Sequence, residues 1–123
     1  MAQEIKISVG DVELKGNLKE NKCAKRILKM MPIESDFNTW GDEFYFSIGL
    51  EMGLDETAKR EVEVGTIGYW PSDEALAIFF GPTPASTRER PVAASDVNIV
   101  GEVKEAEKLK DVKDAEKIRI ELA

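Results

Sequence analysis

The chain has 123 residues, enough for one packed core, and its 42% hydrophobic and 33% charged content is that of a globular domain. A net charge of −7, with basic residues interleaved among acids, argues against a nucleic-acid partner. There is no histidine, which excludes Ser-His-Asp and Cys-His catalysis and the His-containing zinc sites.

Cys23 is the single cysteine, so no intrachain disulfide forms and a reducing, cytoplasmic compartment is expected. The pattern predicts no signal peptide, and no apolar run approaches the ~20 residues that span a bilayer. No membrane association is expected. The Lys-Glu-rich, Cys-poor balance leans toward a thermophile surface.

Taken in order, Ile5, Ile7 and Val9 alternate with Lys6 and Ser8, the period of a half-buried strand. Gly10-Asp11 makes a two-residue turn, and Val12, Leu14 and Leu18 continue the alternation, so Val9 and Val12 pair on one face. Asn21 is the predicted N-cap of a helix through Met31, with Ala24, Ile27, Leu28 and Met31 on its buried stripe. Lys22, Lys25, Arg26 and Lys29 form its solvated side, and Pro32 stops it. A second hairpin unit runs Ile33–Trp40, Gly41-Asp42, Glu43–Ile48, with Phe44 and Phe46 in the core.

Residues Gly49 to Arg60 read as a surface loop, and Glu61–Val64 as a short strand. The segments Thr66–Trp70 and Ala75–Phe80 flank a Pro-Ser-Asp turn, and a stiff Gly-Pro-Thr-Pro exit follows. After a loop over Ala85–Ser95, Val97–Lys104 reads as a strand. Glu105–Val112 reads as a short charged helix packing Ala106 and Leu109. Ile118, Ile120 and Leu122 read as a closing, edge-sealing strand. Seven or eight closely spaced short strands predict a mainly β, closed barrel of about eight strands, capped by one or two short helices, as a single domain over residues 1–123.

Several motifs carry a family resemblance. Asn98-Ile-Val-Gly-Glu-Val-Lys-Glu105, a short charged helix and Lys117-Ile-Arg-Ile-Glu-Leu122 resemble the end of a cyclophilin, and Phe79-Phe80 is similar to that family's Phe-Phe dipeptide. Trp40-Gly-Asp-Glu-Phe-Tyr-Phe46, Gly68-Tyr-Trp-Pro71 and Phe79-Phe-Gly-Pro-Thr-Pro84 resemble more closely the small cyclophilin-like domain proteins of archaea and thermophilic bacteria. The resemblance implies a barrel with a proline-gripping groove in which Phe80 is a wall. Cyclophilins work with an arginine in a Phe-His-Arg segment followed by Phe-Met-x-Gln. The corresponding stretch here, Glu43-Phe-Tyr-Phe-Ser-Ile48, has no Arg, His or Gln. Trp70 and Pro71 fall where the family keeps small, polar groove residues, and Val97 takes the place of a histidine. Efficient prolyl isomerisation is therefore not expected.

The candidate ligand face comprises Trp40, Tyr45, Tyr69, Trp70, Pro71 and Phe80, since Tyr and Trp join an apolar body to a hydrogen-bonding tip. For Tyr69 and Trp70 the alternative is packing within the barrel. Arg90, beside Pro91, is either a fork donor clamping a carboxylate or phosphate or a partner in a surface ion pair. Asp36, Asp42 and Glu43 lack the spacing of a calcium loop, so no metal or cofactor is expected. Three functions stay open. In order of preference, they are a binding module for a small molecule or proline-containing peptide, a partner or homodimer interface, and a weak prolyl isomerase using Arg90.

Overall fold

The computed structural model describes residues 2–123. The strands are β1 (Gln3–Val9), β2 (Val12–Leu18), β3 (Ile33–Asp36), β4 (Asn38–Thr39), β5 (Glu43–Ser47), β6 (Lys59–Glu61), β7 (Thr66–Trp70), β8 (Ala75–Phe79), β9 (Val92–Val103) and β10 (Lys117–Leu122). One α-helix, α1 (Lys22–Leu28), and two 3-10 turns, Pro71–Asp73 and Ala106–Val112, complete the elements among the described residues. No helix among them is long and apolar enough to cross a membrane.

The first hairpin follows its alternation. Val9 pairs with Val12 and Ile7 with Leu14 across a turn in which Gly10 takes φ +59°; Ile5, Ile7, Val9, Leu14 and Leu18 are buried and Val12 half-buried. Helix α1 begins at Asn21, whose side chain accepts from the Ala24 N–H at 2.9 Å and donates to the Ile99 carbonyl at 3.0 Å. It ends three residues short of the expected Met31. The Met30 and Met31 amides bond back to Ile27 and Leu28, the tighter i+3 pattern, ahead of Pro32. In Ala106–Val112 the buried positions are Ala106, Leu109 and Val112, every third residue, and that period selects a 3-10 turn.

The strand order is β3-β10-β1-β2-β9-β7-β8-β5-β4, antiparallel throughout, with β6 added on β9. This corrects the closed barrel of about eight strands: the sheet has ten strands and its ladder is not closed. The expected strand over Ile33–Trp40 is divided at Phe37, so β3 pairs only with β10 and β4 only with β5. Because one residue joins the two terminal strands, the sheet curls until its edges meet there. Phe37 packs its ring 4.3 Å from that of Phe44 instead of continuing the ladder. Strand β10 covers the free edge of β1 and is itself covered by β3, and Leu122 is exposed.

The inside of the curl holds the main core, in which Phe44, Phe46, Ile67, Leu76 and Ile78 meet Ile5, Ile7 and Ile120. A smaller cluster of Val62, Ala77, Phe79, Ala93 and Val97 lies on the opposite face of β5, β7 and β8. It exists because β9 is longer than expected. Residues 92–97 pair with β6 and fold over that outer face, while Gly101–Val103 pair with β2.

Asn98 ties the irregular segment after β5 to this strand. Its fully buried side chain accepts from the Asp55 N–H at 2.8 Å and donates to the Gly53 carbonyl at 3.0 Å. Asn98→Ala leaves both backbone groups without their partner and is expected to cost about 2 kcal/mol. Hydrogen exchange at the Asp55 amide should accelerate more than at β1 amides. Equal acceleration would show that the loop is held by other contacts.

Candidate functional site

The site is built from the outward positions of three neighbouring strands. In β5 the period of two sends Phe44 and Phe46 inward and Glu43 and Tyr45 outward. Tyr45 pairs with Ala77 of β8, and Ala77 in turn with Gly68 of β7, so the middle of the face carries almost no side chain. Trp70 stands at the end of β7, and Ala93, Ala94, Ser95 and Val97 of β9 form the facing wall. Between them lies a cleft of about 220 Å³ that also touches Trp40 and Asp73.

Its aromatic walls are held in place. The Trp70 indole N–H donates to Ser95 Oγ at 2.6 Å, and its ring meets that of Tyr45 edge-on, at 82° with centroids 6.3 Å apart. Trp40 reaches the cleft across the turn Gly41-Asp42, closed by its N–H on the Glu43 carbonyl at 3.0 Å. That turn is pinned from outside. The Asp42 N–H donates to the Pro82 carbonyl at 2.9 Å, and its carbonyl accepts from the Phe80 N–H at 2.8 Å. The Asp42 carboxylate meets Lys113 and, at 3.8 Å, Lys110.

Glu43 is the anomaly. Its side chain lines the cleft, the residue is only 7% exposed, and Oε1 has no hydrogen-bond partner. A buried carboxylate without a donor is strongly disfavoured, and burial pushes the Glu43 carboxyl up to about 8. Near neutral pH the group is therefore largely protonated, and it can donate one proton or, once ionised, accept from a cation. The other acid on the lining is Asp73, and no Lys or Arg lines the cleft.

Of the residues expected on a ligand face, Trp40, Tyr45 and Trp70 come together here. Pro71 opens the 3-10 turn directly after Trp70 and is half-buried, outside the lining. Tyr69 is on the other face of β7, fully buried, with its hydroxyl donating to the Leu50 carbonyl and accepting from the Met52 N–H at 3.1 Å. Phe80 is also in the main core, 4.7 Å from Phe44, because it alternates with Phe79, which faces the outer cluster. Neither Tyr69 nor Phe80 lines the cleft. Arg90 is elsewhere, paired with Glu61 at 2.9 Å and with Glu63, and donating to the Val62 carbonyl at 3.1 Å.

Sequence reasoning missed Glu43 as a site residue by grouping it with Asp42 and Asp36. The available signal was its parity with Tyr45 and its position opposite Trp40 across a two-residue turn. Asp36 instead pairs with Lys117 at 2.9 Å, and no group of three or more acidic, Cys or His side chains is placed to hold a metal among the described residues.

Comparison with known proteins is consistent with this architecture. A search of curated proteins finds no match. The solution structure of a hypothetical protein from Archaeoglobus fulgidus is similar, with 34% identity and a TM-score of 0.79 over 99% of this chain and 95% of the other. The model of the cyclophilin-like family matches residues 3–121. By that match, which takes in the whole sheet and the cleft, the chain belongs to the cyclophilin-like family.

Proposed function

We propose that this protein is a cyclophilin-like binding protein that holds a small molecule in the cleft between Trp40, Tyr45 and Trp70, without efficient catalysis. The observation that carries this reading is the buried Oε1 of Glu43, which lines an aromatic-walled recess and has no hydrogen-bond partner in the protein. At about 220 Å³ the recess is below the ~300–1,000 Å³ usual for drug-sized ligands, which favours a compact metabolite over an extended peptide. Isomerase chemistry is disfavoured because no arginine lines the cleft and Arg90 is engaged by two glutamates. The lone buried Cys23 suits a cytoplasmic setting.

Both tryptophans of the chain line the recess, so intrinsic fluorescence reports on it directly. Titration with a panel of metabolites and proline peptides should give saturable changes for at least one compact ligand. Trp70→Ala should weaken that binding by tenfold or more, at a stability cost of about 1–2 kcal/mol because Trp70 is only half-buried. A panel that changes neither fluorescence nor melting temperature would count against the reading.

A further inference from the structure

We infer that the cleft selects a compact organic cation, an alkyl- or arylammonium group seated beside the Glu43 carboxylate and against the rings of Trp40, Tyr45 and Trp70. This rests on the cleft being the ligand site.

Three features of the lining point to positive charge. The buried Oε1 of Glu43 has no hydrogen-bond partner in the protein, and the facing residues Ala77, Ala93 and Val97 are apolar. A ligand that meets the ionised carboxylate must therefore bring the compensating positive charge. The Trp70 N–H is committed to Ser95, so its ring offers the cleft π surface, and aromatic rings attract cations through their quadrupole. The ionisable acids on the lining are Asp73 and Glu43, and once Glu43 is ionised both repel carboxylate and phosphate ligands. A net charge of −7 adds long-range attraction for cations.

Asp73 is the other acid on the lining. Asp42, the chain neighbour of Glu43, is met by Lys110 and Lys113 on the outside of the turn. Tyr45 on the same strand and Asp73 beyond β7 are the other titratable groups on the lining. Phe79 and Ala77 of β8 and the β9 residues facing the carboxyl carry no charge. Seating a cation therefore draws the proton off Glu43, whose carboxyl burial holds at about 8, and binding tightens as pH rises toward that value.

The test uses the intact protein and benzyltrimethylammonium, whose charge does not titrate, with neopentylbenzene as its neutral shape match and benzoate as the anion. Tryptophan fluorescence and calorimetry are followed at pH 6, 7, 8 and 9. Benzyltrimethylammonium should saturate the site and at pH 9 bind at least about tenfold more tightly than neopentylbenzene. Its affinity should rise about tenfold per pH unit below 8 and level off above, with one proton released on binding at pH 7. Glu43→Gln should abolish both the slope and the proton release. If that variant does not fold, the wild-type slope and proton count decide alone. Equal affinity for neopentylbenzene with a flat pH profile overturns cation selection while leaving the cleft a binding site. Preference for benzoate does the same. Silence from all three compounds also overturns it, and the metabolite panel then judges the cleft itself.

Discussion

Glu43→Gln should raise the melting temperature of the free protein at pH 8.5 by about 10 °C or more, and by almost nothing at pH 4.5. The sign follows from proton binding. In the unfolded chain a glutamate titrates at about 4.5, whereas burial holds the folded Glu43 carboxyl at about 8. Between those values the folded state keeps a proton that the unfolded state has released, so stability falls as pH rises through the interval and is flat above it. The gap of about 3.5 units corresponds to an upper bound on the order of 4–5 kcal/mol at ~1.36 kcal/mol per unit. Glutamine has nearly the same shape, lacks the titration, and escapes this penalty. The other acids contribute their own pH dependence, but the difference between variant and wild type cancels them. Melting curves of both proteins at four pH values are sufficient. A difference that does not change from pH 4.5 to 8.5 would show that Glu43 ionises as an ordinary exposed glutamate.

The same substitution removes the feature on which ligand recognition is argued to depend. A gain in stability coupled to a loss of cation affinity is the pattern expected of a binding residue kept against the interests of the fold.

How much of this was legible in the chain depends on the range of the interaction involved. The β1–β2 hairpin was legible because its pairing is local: alternation and Gly10-Asp11 specify that Val9 faces Val12. The Asn21 cap and the buried parity of Phe44 and Phe46 were legible for the same reason. The position of β10 was not, since nothing within Lys117–Leu122 states that β3 will cover its second edge. The division of Ile33–Trp40 was hidden too, because Phe37 is as good a strand residue as its neighbours and leaves the ladder only to reach Phe44.

At the site, Trp40, Tyr45 and Trp70 could be named from residue type. Tyr69 and Phe80 were drawn in by the same logic, although strand parity alone sends Tyr69 to the face opposite Trp70. The Glu43 environment depends on residues 93–97 folding over β5, β7 and β8. That placement comes from a strand whose polar stretch Ala94-Ser-Asp96 conceals its length.

Gly41→Ala tests whether the turn that carries Trp40 and Glu43 is held by shape. Gly41 sits at φ +63°, and a Cβ there would lie 2.8 Å from Pro84 Cδ, 2.9 Å from Thr83 Cα and 3.0 Å from the Pro82 carbonyl. Those neighbours are a proline ring and backbone, which cannot rotate away. The left-handed conformation costs a residue with a Cβ about 1–2 kcal/mol, and forcing atoms into packed space costs about 1–3 kcal/mol, so a loss near 3 kcal/mol is expected. Gly10→Ala supplies the comparison. Gly10 has a similar φ of +59°, but its added Cβ would meet only the side chains of Val112 and Ala115, at 3.4 and 3.5 Å. That variant should therefore lose about the conformational part alone, and denaturant unfolding of the two measures the difference. Gly41→Ala should also shift Trp40 emission to the red in the folded state, because displacing the turn pulls both Trp40 and Glu43 from the cleft, whereas Gly10→Ala should leave emission unchanged. Equal stability losses and unchanged emission in both variants would mean that the Pro82–Pro84 segment yields freely, and that the geometry of the cleft is set elsewhere.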